Sequence, residues 1–158
     1  YYYLGYAYMN MGLYMKAKLT WEEFMEYSED AANGKDRKEI RQRLQQLEEP
    51  VQIELGCNSI MGGDFVGGKD TLMKFAEGRY SQWWPLWYYL GVAEASLGNA
   101  DEAIADFKRV LTLSPSNTDA MDELVHLYEA TGDKENAAKY RNKIGIVNSN
   151  REEENGAT

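Results

Sequence analysis

One pattern of residues recurs along this chain at intervals of about 34 positions. Its clearest copy consists of Trp87, Leu90, Gly91, Gly98, Ala103, Phe107 and Pro115. One period further on stand Met121, Leu124, Val125, Gly132 and Ala137, and the same internal spacing also starts at Tyr1. A fainter copy runs from Leu55 to Phe75. Repetition at this period limits a chain of 158 residues to similar units that stack on their neighbours.

The spacing within the clearest copy predicts two antiparallel helices. The pattern residues of 87–94 fall on one face of a helix. Gly98 then interrupts the periodicity, as a glycine at the C-terminal cap of a helix does. Ala103 and Phe107 lie one turn apart on the second helix, and the small side chains of Gly91 and Ala103 allow the two helices to approach closely. Such a hairpin cannot bury its apolar faces alone.

This unit resembles the tetratricopeptide repeat, whose pattern is Trp-x2-Leu-Gly-x2-Tyr, then Ala-x3-Phe, then Pro. The copy at 87–115 has all of these residues except the Tyr, which Glu94 replaces. The first copy restores the Tyr and aligns with the pattern at Tyr1, Leu4, Gly5, Tyr8, Ala17 and Trp21. The resemblance implies an all-α fold in which antiparallel helix-hairpin repeats stack as an α-α superhelix, a TPR-like solenoid.

The copies predict a repeat domain over residues 1–147. We expect hairpins at about 1–28, 51–77, 84–113 and 118–145. A further amphipathic helix at 35–48 either packs after the first hairpin or links two sub-arrays. A flexible acidic tail is predicted for 148–158, which is polar and without periodicity. Because residue 1 falls inside a repeat, the chain is expected to be a fragment of a larger protein.

The charge of the chain narrows the choice of partner. Its 26 Asp and Glu residues outnumber 17 Lys and Arg residues, which gives a net charge of −9. Nucleic acids and anionic membranes bind clustered cations, so neither is the expected partner. No apolar run approaches the roughly 20 residues of a membrane-spanning helix. The sequence therefore predicts a protein or peptide partner. Its first residues do not have the pattern of a secretory signal, and a cytoplasmic location is expected.

Few residues suggest chemistry. His126 and Cys57 are the only members of their residue types, and they belong to different repeats. Gly63-x4-Gly68-Lys69 resembles a phosphate-binding loop, but Asp70 occupies the position of the required hydroxyl and no strand precedes it. An inter-helix turn is the better interpretation. We therefore expect no catalytic residue, no metal and no cofactor, and the chain is not predicted to be an enzyme.

The resemblance implies that the first helix of each hairpin lines a concave groove. One face of these helices supplies the candidate groove residues: Tyr2, Tyr6, Met9, Asn10, Ile53, Cys57, Tyr88, Val92, Ser96, Asp122, His126 and Glu129. The groove is apolar in the early repeats and acidic in the last, which suits a peptide with apolar anchors and basic character. Tyr2 and Tyr6 have alternatives: they pack on residues upstream, or they form a homo-oligomer through the N-terminal aromatic side chains.

The resemblance implies a non-catalytic scaffold that binds a peptide or protein segment in the groove. The alternative is a regulatory or sensory appendage of an effector protein, such as a transcription regulator or a kinase. Some members of the family hold the C-terminal carboxylate of heat-shock chaperones with Lys and Asn side chains in this groove. Those residue types are absent from the corresponding positions, for example Tyr88 and Val92, so this activity is not expected.

Overall fold

The computed structural model describes residues 1–28 and 30–157. Within these residues the repeated pattern forms helices. The helices are α1 (Tyr2–Asn10), α2 (Tyr14–Tyr27), α3 (Asp30–Gln46), α4 (Glu48–Met61), α5 (Phe65–Met73), α6 (Trp84–Ser96), α7 (Ala100–Leu113), α8 (Thr118–Ala130) and α9 (Lys134–Gly156). A short 3₁₀ helix, Arg79–Gln82, lies between α5 and α6. The described residues contain no strand, and the predicted all-α class is confirmed.

Four turns with the same geometry mark the repeats. Gly12, Gly63, Gly98 and Gly132 have φ values between 73° and 94°, the left-handed region in which glycine ends a helix without steric cost. After each glycine, the next backbone N–H donates to the carbonyl five positions upstream: Leu13 to Tyr8, Asp64 to Ser59, Asn99 to Glu94 and Asp133 to Tyr128. This pairing satisfies the last carbonyls of the preceding helix. The periodic glycines of the sequence are therefore the helix ends of the repeat.

A second repeated feature is a glycine that faces an aromatic ring. A Cβ atom at Gly91 would lie 2.9 Å from Cε1 of Phe107, and a Cβ at Gly5 would collide with the indole of Trp21. In these two hairpins, the missing side chain allows the first helix to lie directly on the ring of the second. In the fourth copy Val125 replaces the glycine and Arg141 replaces the aromatic residue, so the two changes occur together.

The chain divides into two compact units, Tyr1–Asn58 and Ser59–Thr158. In the first unit, Trp21 and Ile40 are fully buried, and Trp21 Nε1 donates to the Tyr2 carbonyl at 3.0 Å. Arg37 of α3 donates to the carbonyls of Met25 and Ser28, each at 2.7 Å. Helix α3 thus packs against the first hairpin, which is the first of the two arrangements that the sequence allows.

In the second unit, the hairpins α6–α7 and α8–α9 share one core. Phe107 and Leu124 are fully buried in it. The rings of Tyr128 and Tyr140 stack with centroids 5.9 Å apart and planes inclined by 9°. Helix α5 packs against α6. The paired helices bury their apolar faces on each other, as expected for repeats that cannot fold singly.

The last helix differs from the prediction. It was expected to end near residue 145, but α9 continues to Gly156. Its start is capped by Asp133, whose carboxylate accepts from the N–H of Asn136, and Arg151 donates to the Ser116 carbonyl at 3.2 Å. Residues 148–157 are exposed, so apolar periodicity could not reveal this segment, although Arg and Glu favour helix.

Three other helix boundaries also differ from the prediction, and the first is that of α3, which begins at Asp30 and not near residue 35. Helix α5 ends at Met73 and not near residue 77, since the N–H groups of Phe75 and Ala76 donate to the carbonyls three positions upstream, those of Leu72 and Met73, and not to those four upstream. Helix α4 begins at Glu48, so Pro50 lies in its first turn, where its missing N–H costs no hydrogen bond. None of the helices in the described chain is long and apolar enough to cross a membrane.

Candidate protein-binding surface

Side chains of α6 and α8 in the second unit define the candidate protein-binding surface. Tyr88 is half-buried on α6, with its ring edge against Phe107 at a centroid distance of 5.6 Å. Burial raises the pKa of the Tyr88 hydroxyl, and the charges of Glu123, Asp119 and Asp122 on α8 raise it further. The three carboxylates are therefore near enough to the Tyr88 hydroxyl for their charges to act on it. The contact with Phe107 fixes the ring in position.

The carboxylates lie along one side of α8. Asp119 and Asp122 are exposed, whereas Glu123 is half-buried. Burial raises the pKa of the Glu123 carboxyl, the nearby His126 lowers it, and the charges of Asp122 and Asp119 raise it again. The positions 119, 122, 123 and 126 have the spacing of one helix face. The side of α8 next to Tyr88 is therefore acidic.

Apolar side chains on α6 complete this surface. Trp84 is 37% exposed, and its ring meets the edge of Tyr88 at a centroid distance of 6.2 Å. Val92 follows Tyr88 by one turn and is half-buried. We call Trp84, Tyr88, Val92, Asp119, Asp122, Glu123 and His126 the α6–α8 face. It combines an aromatic and aliphatic side with an acidic side.

Two other groove residues predicted in this unit, Ser96 and Glu129, lie outside this surface. Ser96 is exposed at the end of α6. Glu129 is exposed on α8 and pairs with Arg141 of α9. Arg141 occupies the position at which the third copy has Phe107, so the carboxylate of Glu129 is already matched by a cation. These two residues are not part of the α6–α8 face.

In the first unit, the predicted groove residues of α1 largely contact α3. The Tyr2 hydroxyl donates to Glu39 Oε2 at 3.2 Å, and the Tyr6 hydroxyl donates to Oε1 of the same carboxylate. These bonds, Tyr6 first, lower the pKa of the Glu39 carboxyl against the opposing effect of burial. Met9 packs against the same core, and Asn10 is exposed. Internal packing therefore accounts for Tyr2 and Tyr6.

The prediction for Ile53 and Cys57 was wrong. Their exposed fractions are 4% and 8%, so neither forms part of a surface groove. Burial raises the pKa of the Cys57 thiol to about 11, which keeps it protonated and unreactive near neutral pH. The prediction assumed that one face of each first helix is open, but α4 also buries Val51 and Ile60.

The predicted groove residues do not include Trp84, Asp119 and Glu123. Trp84 precedes Pro85 and stands outside the repeat pattern, so it was not among the positions that the repeat assigns to the groove. Asp119 and Glu123 were overlooked because the groove positions were chosen by one fixed offset along each helix. The spacing of the acidic residues on α8 was the feature of the sequence that could have indicated them.

The described residues offer little for chemistry. They contain no group of three or more His, Cys, Asp or Glu side chains that could hold a metal ion. The segment that resembles a phosphate-binding loop is an inter-helix turn at Gly63 and Asp64 that leads into α5, where Gly68 is buried, as predicted. Asp64 caps α5 by accepting from the N–H of Gly67 at 3.0 Å, and Lys69 forms an ion pair with Glu94.

Residues 84–117 match the family model of the tetratricopeptide repeat. This segment is a tetratricopeptide repeat. It comprises α6, α7 and the loop before α8, and the resemblance inferred from the sequence is confirmed. The α6–α8 face thus lies on the first helix of this repeat and on the first helix of the hairpin that follows it.

Solved structures of MamA share the fold. One is 17% identical, has a TM-score of 0.69 and covers 94% of this chain and 96% of its own. A second, MamA MSR-1, is 24% identical with a TM-score of 0.68 and covers 96% and 97%. A third, MamA AMB-1, is 22% identical with a TM-score of 0.66 and covers 93% and 96%. No curated protein sequence matches the chain.

Proposed function

We propose that the protein is a non-catalytic interaction scaffold that binds a protein segment on the α6–α8 face. The tetratricopeptide fold supports a role in protein interaction in general. The observation that carries the specific proposal is Tyr88, a half-buried aromatic side chain that packs on Phe107 and whose hydroxyl is within the electrostatic influence of Asp119, Asp122 and Glu123. Aromatic anchors next to complementary charge are typical of residues that dominate binding energy.

The chemistry of the face selects the partner. A segment that carries an apolar side chain can cover Tyr88 and Val92, and a Lys or Arg next to it meets the carboxylates of α8. Its guanidinium or ammonium group can also lie over the exposed indole of Trp84. The net charge of −9 favours the approach of such a segment. The cytoplasmic location stays a prediction from the sequence.

An array of short synthetic peptides tests this proposal. It contains peptides with basic and apolar residues, the same peptides with the basic residues changed to acidic ones, and peptides with glycine at the apolar positions. Only the first group should bind strongly, because only these peptides offer both apolar side chains to the aromatic and aliphatic side of the α6–α8 face and cations to its acidic side. Strong binding of the acidic peptides would contradict the proposal.

Two pairs of variants locate the contact. Asp122→Lys and Glu152→Lys make the same charge change, but only Asp122 belongs to the face, and both side chains are exposed. Tyr88→Ala is matched by Tyr3→Ala, whose side chain is 82% exposed in the other unit. Asp122→Lys and Tyr88→Ala should each weaken binding by about tenfold or more, and the two controls should not. Circular dichroism checks that each variant is folded. An equal loss of binding affinity in a variant and its control would show that the contact lies elsewhere.

A further inference from the structure

Three exposed lysines of the second unit lie around one pair of stacked tyrosine rings. Tyr128 and Tyr140 are both buried, and their ring centroids are 5.9 Å apart. The ammonium group of Lys108 on α7 lies 5.8 Å from the ring centroid of Tyr128. Those of Lys139 and Lys143 on α9 lie 5.6 Å and 5.0 Å from the ring centroid of Tyr140. Each distance is that of a cation–π contact, so three cations gather around one aromatic pair.

Carboxylates of the described residues do not neutralise this group of cations. None of the three lysines forms an ion pair with a carboxylate in the part of the chain that the structure describes. Asp133 is near enough for its charge to act on Lys108. Its carboxylate, however, accepts from the backbone N–H and the side-chain amide of Asn136, at 3.1 Å and 2.7 Å. The lysines therefore retain positive charge for an anionic group from outside.

An apolar pocket lies beside the lysines. It has a volume of about 300 Å³ and is lined by Leu111, Pro115, Met121, Lys143, Ile146 and Val147. Met121 is buried, whereas Ile146 is 53% exposed, so the pocket opens to solvent. Because Lys143 belongs both to the pocket and to the group of lysines, the two features are adjacent.

The spacing along the helices joins the two features into one groove. Lys139, Lys143 and Val147 recur every four residues on α9 and lie along one face of it. Met121 and Tyr128 are two turns apart on one side of α8, which therefore forms the floor between α7 and α9. This spacing places the apolar end of the groove about 10 Å from its cationic end. We call the groove between α7 and α9 the α7–α9 groove; its walls are Lys108, Leu111, Lys139, Lys143, Ile146 and Val147.

We propose that the α7–α9 groove is a second docking surface, which binds an acidic protein segment that carries an apolar side chain. The carboxylates of the segment meet the three lysines, and the apolar side chain enters the pocket. None of the groove residues belongs to the α6–α8 face, so this proposal does not depend on the proposed function. The two surfaces select partners of opposite charge.

The apolar pocket favours a protein segment over a nucleic acid. A phosphate backbone can meet the lysines, but it has no apolar side chain for the pocket. The net charge of −9 repels a polyanion at long range, so binding rests on short-range contacts to which the apolar side chain contributes. A separation of about 10 Å corresponds to about three residues of an extended segment.

Fluorescence anisotropy with labelled peptides and the intact chain tests this proposal. Each peptide has two adjacent Glu residues and one Leu in a background of Gly and Ser, and the separation of the Glu pair from the Leu varies. A separation of about three residues should give the highest affinity. Changing its Leu to Gly, or its Glu pair to Gln, should each lower that affinity by about tenfold. Equal binding without the Leu would show a simple anion site and overturn the proposal, as would the absence of binding by every peptide.

Charge reversals locate the acidic part of the segment. Lys108→Glu and Lys143→Glu should each weaken binding of the best peptide by about tenfold or more, because a cation is replaced by a like charge. Lys16→Glu is the matched control. Lys16 is also an exposed lysine whose ammonium lies 5.8 Å from the ring centroid of a tyrosine, Tyr8, but it belongs to the first unit. This variant should bind the peptide as the wild type does.

A shortened side chain tests the pocket. Ile146→Ala should lower the affinity about fivefold, whereas Val66→Ala, on α5, should not change it. Both side chains are exposed, at 53% and 58%, so both variants should fold, and circular dichroism checks this. Unchanged affinity in Lys143→Glu and Ile146→Ala would overturn the proposal. The basic peptides that test the α6–α8 face should bind these two variants as they bind the wild type, which distinguishes failure of one proposal from failure of the other.

Discussion

The contact of Gly91 with the ring of Phe107 determines how closely α6 and α7 approach. Gly5 and Trp21 repeat this contact in the first unit. Interiors are close-packed, so an added methyl group at such a position must displace a ring or a helix. The pair Val125 and Arg141 has a side chain on the first helix and no aromatic ring on the second. Glycine at this position is thus required by the aromatic partner.

Gly91→Ala should therefore destabilise the protein. The new Cβ atom would lie 2.9 Å from the Phe107 ring, and overpacking of this kind costs about 1–3 kcal/mol. Gly145→Ala is the control, since a Cβ atom there meets nothing within 4 Å and lies in the exposed part of α9. That change should raise the free energy of unfolding by up to about 1 kcal/mol. Urea unfolding measures both, and a Gly91→Ala protein as stable as the wild type would contradict this packing.

At the scale of the helices, caps and periodic glycines were predictable, and helix ends without such signals were not. Gly12, Gly63, Gly98 and Gly132 end helices at the positions that the repeat indicates. The residues from 148 to 156 carry no apolar stripe, so their helix could not be inferred from periodicity. Ile53 and Cys57 show the same limit for the site, because burial depends on what covers a helix and not on its own spacing.

The exposed end of α9 should contribute little to stability. Deletion of residues 148–158 removes helical structure but no buried side chain among those described, and the expected loss is within about 0.5 kcal/mol. The comparison variant is Tyr140→Ala. It removes a buried ring stacked on Tyr128 and should cost roughly 3 kcal/mol. Thermal unfolding distinguishes them, and a deletion as damaging as Tyr140→Ala would show that the repeat domain extends beyond residue 147.

At the scale of the whole molecule, charge and fold favour the same kind of partner. The chain has a net charge of −9, and the acidic side of the α6–α8 face lies next to its aromatic anchors. Under the proposed function, long-range attraction would bring a basic segment to the protein, and the apolar contacts would then hold it. Helices α6 and α8, the first helices of two successive hairpins, display these side chains.

The most direct test of the account is a titration of the ¹⁵N-labelled protein with the basic, apolar peptide that binds best in the array. The chemical shifts of backbone amides and indole N–H groups report where the peptide lies. We predict that the largest changes occur at Trp84, Tyr88, Val92, Asp122 and Glu123. Changes confined to α7, to α9 or to the first unit would contradict the assignment of the binding surface to the α6–α8 face.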